Sequence, residues 1–307
     1  MARMTGDNDW LMSDRCKTLT LEHSMAAKRM KFLELFAPLA AVDRLKTGLL
    51  DGTLPLVRFF THTVLPLVKA KQRGDEFAVA RTVREFSPML SKLALKSAGD
   101  ASIQLHKAND AVTNLMKLWY DGASPKIRDV LRNIATTGLF EIPDILAPSA
   151  IRNESAFINS DGSESDNDAD RPTEVSEAID KFLTSPFSQM EPYAKYVAGV
   201  APFGTHQGVK GLQFDRVMVI MDDSDAGGFL FSYDKLFGAK EKTQTDLTNE
   251  RDGKETTIDR TRRLFYVTCS RAKGSLALVA YSNDPQKVRN TLISAGWFND
   301  DEVQVGL

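Results

Sequence analysis

The chain has 307 residues, enough to bury one full core and to build two compact units. Its 39 Lys and Arg against 41 Asp and Glu leave a net charge of -2, so any basic surface for nucleic acid must be local. The two cysteines, Cys16 and Cys269, are far apart with no CxxC, which argues against a zinc site or a disulfide framework and fits a reducing cytoplasm. No apolar run reaches bilayer-spanning length, and the opening MARMTGDNDWLMSDR lacks the continuous apolar stretch of a signal peptide. The expected setting is cytoplasmic, with no membrane partner.

In chain order, CKTLTLE (16–22) reads as a short strand. Met25 to Ala37 reads as a helix with an apolar stripe at Met30, Leu33 and Phe36, an N-cap at Ser24 and a stop at Pro38. From about residue 46 to 150 the chain reads as helix almost throughout. Val79, Val83, Phe86, Leu90 and Leu93 form one stripe, and Leu105, Ala108, Val112, Leu115 and Trp119 form another. Pro88 kinks or splits the first. These stripes read as core packing of a helical subdomain.

Residues 153–175, NESAFINSDGSESDNDADRPTEV, are polar and acidic without periodicity, so they read as a flexible linker. Arg216 to Met221, RVMVIM, reads as a strand covered on both faces. Asp222-Asp223-Ser224-Asp225 follows as a loop or strand-end cluster, and 239–257 reads as a polar loop. Arg260 to Val267 reads as a helix and Ser275 to Tyr281 as a second buried strand. Asp284-Pro285 reads as the N-cap and first-turn proline of a last helix, with Val288 and Leu292 facing the core.

Two stretches carry chemistry. In GTHQGVKGLQFDRV, Gly208 and Gly211 flank Lys210. Glycine lets backbone N–H groups approach an oxyanion, and the lysine adds a point charge, although such loops are also common as plain turns. In TRRLFYVTCSRAKGSLALVAY, Arg262 and Arg263 lie on a helix, and Arg271 and Lys273 stand just before a strand. A planar, permanently charged fork in that position suits the spread charge of phosphoryl transfer; the alternative is a solvated basic face.

Together, over residues 204–281, these stretches resemble motifs V and VI of the UvrD/Rep-type superfamily 1 DNA helicases. The resemblance extends more loosely to residues 16–37. It implies an α/β fold: the RecA-like second domain of a P-loop NTPase, interrupted by a mainly helical insertion. The expected divisions are 1–45 and 179–307 for the RecA-like part, 46–152 for the insertion and 153–178 for the acidic linker. By resemblance, Arg271 is the arginine finger, and Gly211, Gln213 and Arg271 face nucleotide. Gln213 stands where glutamate is usual, which keeps a hydrogen bond to ribose but loses its charge. Thr205, His206, Gln207 and Lys210 form the loop that meets single-stranded DNA; the work of the family's histidine falls to His206 or Gln207. Arg263 and Tyr266 support the site, Ser270 replaces a threonine, and Thr261 stands at a usual glutamate for which Asp259 is a substitute.

No G-x-x-x-x-G-K-[ST] and no N-Y-R-S-like motif occurs, so the lysine and hydroxyl that would hold β/γ-phosphates and Mg2+ are missing, and the start of the chain is expected to fall inside the second domain. The expected cofactors are ATP and Mg2+, the metal ligands coming from elsewhere. The expected partners are single-stranded DNA and a Walker A-bearing RecA-like domain or subunit. The expected function is the C-terminal half of an ATP-dependent DNA helicase or translocase. The alternatives are a non-catalytic DNA-binding or protein-interaction module, or a truncated remnant.

Overall fold

The computed structural model describes residues 1–12, 14–97, 100–151, 173–226 and 230–306. The chain divides into two compact units, Met1–Met30 with Gly199–Leu307, and Lys31–Ala198. The divisions thus fall at 30/31 and 198/199, where the sequence reading put 45/46 and 178/179.

The first unit is α/β. Strands β1 (Cys16–Thr20), β2 (Phe203–Thr205), β3 (Phe214–Asp222) and β4 (Ala272–Tyr281) form one all-parallel sheet in the order β2-β1-β3-β4. Helix α1 (His23–Arg29) follows β1. Helices α2 (Tyr233–Leu236), α3 (Gln244–Arg251) and α4 (Thr257–Cys269) connect β3 to β4, and α5 (Pro285–Ser294) follows β4.

The near-continuous apolar run of β3 is explained by burial on both faces. Val217, Val219 and Met221 join Leu19, Leu264, Val288 and Leu292 in the main core. The alternate residue Met218 packs on the other side against Trp10, Cys16 and Ala277. Helix α5 starts as its sequence dictates: the Asp284 carboxylate accepts from the Lys287 N–H at 3.0 Å, and Pro285 fills the first turn.

The second unit is helical. Its core gathers Phe32, Leu35, Leu49, Phe60, Ile134 and Phe182, and the Tyr193 hydroxyl donates to the Leu49 carbonyl at 2.6 Å inside it. One helical run, Pro55 to Gln72, widens to π form over Phe59–Val64. The helix Glu76–Phe86 ends before Pro88, which opens a short 3-10 turn, so the proline splits that stripe. Only part of each stripe is core: Val79, Val83, Ala108, Val112 and Leu115 are buried, whereas Leu93 and Leu105 are exposed.

Three expectations are corrected. The helix placed over 25–37 is two helices, α1 and Leu33–Ala40; Lys31 between them takes a positive φ of 61°, and Pro38 lies inside the second rather than ending it. The acidic stretch is outside the described residues up to 172, but Glu174–Thr184 is a regular helix capped by the Thr173 hydroxyl. The polar loop over 239–257 contains α3. Thr243 and Asp246 form a capping box at its start, and Thr256 and Asp259 form another at the start of α4.

Asp246 does more than cap. Lys235 of α2 pairs with it at 2.5 Å, with side-chain exposures of only 9% and 3%. Its other oxygen accepts from the Thr257 N–H at 3.3 Å, so one carboxylate ties α2, α3 and α4 together. Burial opposes its ionisation, but hydrogen bonds from Lys235, Thr243 and Thr257 outweigh burial and hold the carboxyl well below the usual range. Removing one partner of a buried pair strands the other. Asp246→Ala is therefore expected to cost about 3–5 kcal/mol in urea unfolding. The double change Lys235→Met with Asp246→Leu is expected to recover most of that loss, and a single-variant cost below about 1 kcal/mol would show the pair to be dispensable.

Candidate functional site

The connection from β2 to β3, residues 206–213, must cross β1, because β1 lies between the two strands it joins. Its first residues are internal. Thr205, at the end of β2, is buried, and its hydroxyl accepts the Gly208 N–H at 3.0 Å. A Cβ on Gly208 would lie 2.7 Å from that hydroxyl oxygen, so the turn requires glycine. Val209 is buried over the sheet: a Cβ on Gly204 would sit 3.4 Å from Val209 Cγ1 and 3.7 Å from Leu19 Cδ2.

His206 is completely buried. Its backbone N–H donates to the Thr20 carbonyl at 2.9 Å, which continues the sheet pairing one residue past β2. Its Nε2 lies 3.3 Å from the Leu19 carbonyl, and its Nδ1 lies 3.1 Å from the Tyr233 hydroxyl. A carbonyl only accepts, so Nε2 carries the proton and Nδ1 accepts from Tyr233. Burial depresses the imidazole to about 4, against modest support from the Leu19 and Ile220 backbone. His206 is therefore a neutral pin between β1 and α2 and does not reach a ligand. Of the four residues that the sequence reading placed on the strand-binding loop, Thr205 and His206 are buried, and Gln207 and Lys210 are exposed.

The second half of the connection is outside. Lys210, Gly211, Leu212 and Gln213 are exposed, and Gly211 turns the chain with a φ of 80°. Here the second motif meets the first. The Arg271 Nη1 donates to the Leu212 carbonyl at 3.2 Å, and the Phe214 N–H donates to the Arg271 carbonyl at 2.9 Å. Gln213 is thus bracketed by two bonds to Arg271. The register between β3 and β4 slips here, between Phe214 and Arg216, and a Cβ on Gly274 would come within 3.2 Å of the Asp215 carbonyl. Beside Gln213 lies a depression of about 390 Å3 lined by Lys17, Phe214 and Asp215.

Each nitrogen of the Arg271 guanidinium bonds to its own chain, which uses three of its five N–H donors. Its Nε donates to the Val267 carbonyl at 2.8 Å and its Nη2 to the Ser270 hydroxyl at 2.9 Å, so it caps the C-terminal end of α4 as well as holding Leu212.

The other residues of that motif serve structure or lie at the surface. Thr261, fully buried, accepts the Ser232 N–H at 2.9 Å and donates to the Thr257 carbonyl at 2.7 Å. Asp259 is occupied by the capping box, whose Thr256 hydroxyl is the main reason its carboxyl titrates low. Arg262 pairs with Asp259 at 3.3 Å and Arg263 with Glu255. Tyr266 is 74% exposed, so it does not buttress the site from within.

Sequence reasoning missed Tyr233 and Asp223. The Asp223 carboxylate accepts from the Ser232 hydroxyl at 2.7 Å and from the N–H groups of Tyr233 and Asp234, both at 2.9 Å. It fixes the start of α2 and hence the tyrosine that holds His206. An Asp followed nine residues later by Ser-Tyr carries no local pattern that would have flagged it. Among the described residues no group of three or more His, Cys, Asp or Glu could hold a metal ion, and no helix is long and apolar enough to cross a membrane. No family model and no curated protein matches the chain.

The buried histidine makes stability pH-dependent with a definite sign. Above about 6.5 neither state is protonated there; between about 6.5 and about 4 only the unfolded chain takes up the proton. Stability is thus full above that window, falls as pH drops through it by at most about 3 kcal/mol, and levels off below. Urea unfolding at a series of pH values checks this, with His206→Asn expected to flatten the slope. An equal slope in the variant would assign it to other groups.

Proposed function

We propose that the α/β unit is a RecA-like second domain of a superfamily 1 helicase, and that it supplies one wall of an ATP site whose Walker A wall is on a separate domain or subunit. The observation that supports this best is the pair of bonds joining Arg271 to Leu212 and Phe214, which sets the arginine beside Gln213. Two stretches almost 60 residues apart, each resembling a nucleotide-facing motif, meet at one corner of the sheet.

ATP, when bound, supplies a γ-phosphate whose transferring charge spreads over its oxygens. The residues here fit one side of such a group: Arg271 offers a planar fork, and the Gln213 amide suits a sugar hydroxyl. They do not fit magnesium, for which the described residues offer no donor cluster. Arg271 would hold a phosphate with the N–H groups that serve the Leu212 and Val267 carbonyls. Release of Leu212 would loosen the exposed half of the 206–213 loop, from which the exposed Lys210 and, near its start, Gln207 would meet a DNA backbone. A nucleotide held by Arg271 would thereby change the support of the strand-binding loop.

The same bonds favour a second reading, in which Arg271 is only a clamp and the chain is a binding module. ATP hydrolysis separates the two. The chain alone is expected to be silent with or without single-stranded DNA. Mixed with a Walker A-bearing RecA-like domain of the same family, it is expected to raise DNA-stimulated hydrolysis, and Arg271→Ala to remove about 10³-fold of that rate. Arg271→Lys is not expected to rescue, because an ammonium lacks the fork. Hydrolysis by the pure chain, or a mixture indifferent to Arg271→Ala, would defeat the proposal. Silence in the mixture together with retained DNA affinity would favour the module.

A further inference from the structure

Within the helical unit, a groove of about 510 Å3 runs between the helices Glu76–Phe86 and Ala101–Met116, with the short helix Lys92–Ser97 beside it. Its lining is mainly apolar, with Val79, Val83, Leu90, Leu95, Leu105 and Val112. Other apolar side chains of this segment are exposed. Phe77 and Leu93 are each 80% exposed, and Leu105 is 56% exposed. Leu93 and Leu105 are outer members of the two stripes seen in the sequence, and the unit's own core uses none of the three. An open apolar groove with exposed apolar side chains on the elements that line it marks an interaction site.

Two features say what fits. The walls are α-helices, whose backbone groups are already bonded within each helix, so the groove offers no edge to an extended chain. An occupant must satisfy its own backbone, as a helix does. The wall helices, of 11 and 16 residues, are about 16 and 24 Å long, which matches three to four turns of a partner helix.

The second feature is charge. Between Glu76 and Ser97 the cations are Arg81, Arg84, Lys92 and Lys96, and among the described residues none of the four has a carboxylate partner. The lining itself holds one cation, Arg84, and one acid, Glu76. Of the two acids on that segment, Glu76 is tied to Lys71 at 2.6 Å, which leaves Glu85. A second copy of this chain would set these cations against themselves. An acidic helix would pair with them.

We propose that this groove seats an amphipathic helix of a partner protein, with an apolar stripe at i, i+3, i+4, i+7 and glutamates or aspartates along its flanks. The probe is a labelled synthetic helix of about 18 residues, with leucines on the stripe and glutamates beside it. A twin carries lysines for the glutamates. Anisotropy with the full chain is expected to give a Kd on the order of 10 μM for the glutamate peptide and binding at least about tenfold weaker for the twin.

Leu105→Glu, at an exposed position, is expected to weaken the glutamate peptide at least about tenfold with an unchanged melting curve. Arg84→Glu is expected to reverse the preference, improving the lysine twin over wild type, an outcome that loss of fold cannot mimic. Several results would overturn the proposal. One is equal binding of both peptides; another is indifference to Leu105→Glu; a third is no binding of the glutamate peptide near about 1 mM. A dimer by light scattering that Leu105→Glu dissociates would assign the groove to a second copy. Binding that appears only after residues 153–172 are removed would assign it to the chain's own acidic stretch.

Discussion

Eight residues, 206–213, join two parallel strands that lie on opposite sides of β1. A parallel connection ordinarily takes a dozen residues or more and a helix, because the chain must return along the sheet before the next strand can start. Much of this unit follows from doing it in eight. There is no room for a covering helix, so the loop must supply its own core contact, and Val209 does so over Leu19. The first residue after the strand is forced inward, so His206 is buried and must have both ring nitrogens bonded. The turn then tightens until only glycine fits at 208, and Gly211 reverses the chain into β3. Glycines that look like a phosphate cradle in the sequence are first of all the requirements of a short crossover.

That constraint also explains where Arg271 is. The exposed end of the loop, after Gly211, has lost contact with the sheet, and the Leu212 carbonyl needs a donor. Helix α4 ends beside it with carbonyls of its own to satisfy. One guanidinium, with five donors in a fixed fork, serves both. The resting partners of Arg271 are neutral carbonyls and a hydroxyl, with no carboxylate among them. A phosphate outcompetes such acceptors, because a charge-assisted bond is roughly twice as strong as a neutral one. An arginine locked to an aspartate would not be released so easily. The clamp is therefore compatible with the proposed finger, and the proposed exchange changes the support of the loop as well as the charge at the nucleotide.

What could be read from the sequence follows the kind of interaction involved. Elements defined by local pattern were legible: β3 by its apolar run, α4 and β4 by composition, α5 by Asp284-Pro285. The meeting of the two motifs could be suspected only through resemblance, since nothing local says that residue 271 lies beside residue 212. The break at Lys31 was hidden because Met30, Leu33 and Phe36 keep helical spacing across two separate helices, and a positive φ at a lysine has no sequence signature. Helix α3 was legible and was missed. Thr243 and Asp246, like Thr256 and Asp259, have the spacing of a capping box, but the helix behind the first has few apolar residues, and periodicity dominated the reading. Likewise a one-residue offset left His206 and Gln207 interchangeable on paper; the bond from the His206 N–H to Thr20 and the two buried contacts of its ring show which points inward.

The two crossovers of the sheet solve the same problem by opposite means. Between β2 and β3 the chain is short and held by buried contacts and glycine. Between β3 and β4 it is long and held by polar ties: Asp223 on the start of α2, Asp246 on α2, α3 and α4, and Thr261 between α4 and Ser232. Apolar burial alone would not fix the polar part of this segment, since α2 and α3 are short and α3 has no apolar stripe. Bonds from specific carboxylates fix it in one arrangement. The two means converge at Tyr233, which Asp223 positions and which in turn bonds His206. The long crossover therefore sets the imidazole of the short one. Through His206 and the Thr20 pairing, the polar framework at the far end of β3 governs how the loop that carries Lys210 and Gln213 leaves the sheet.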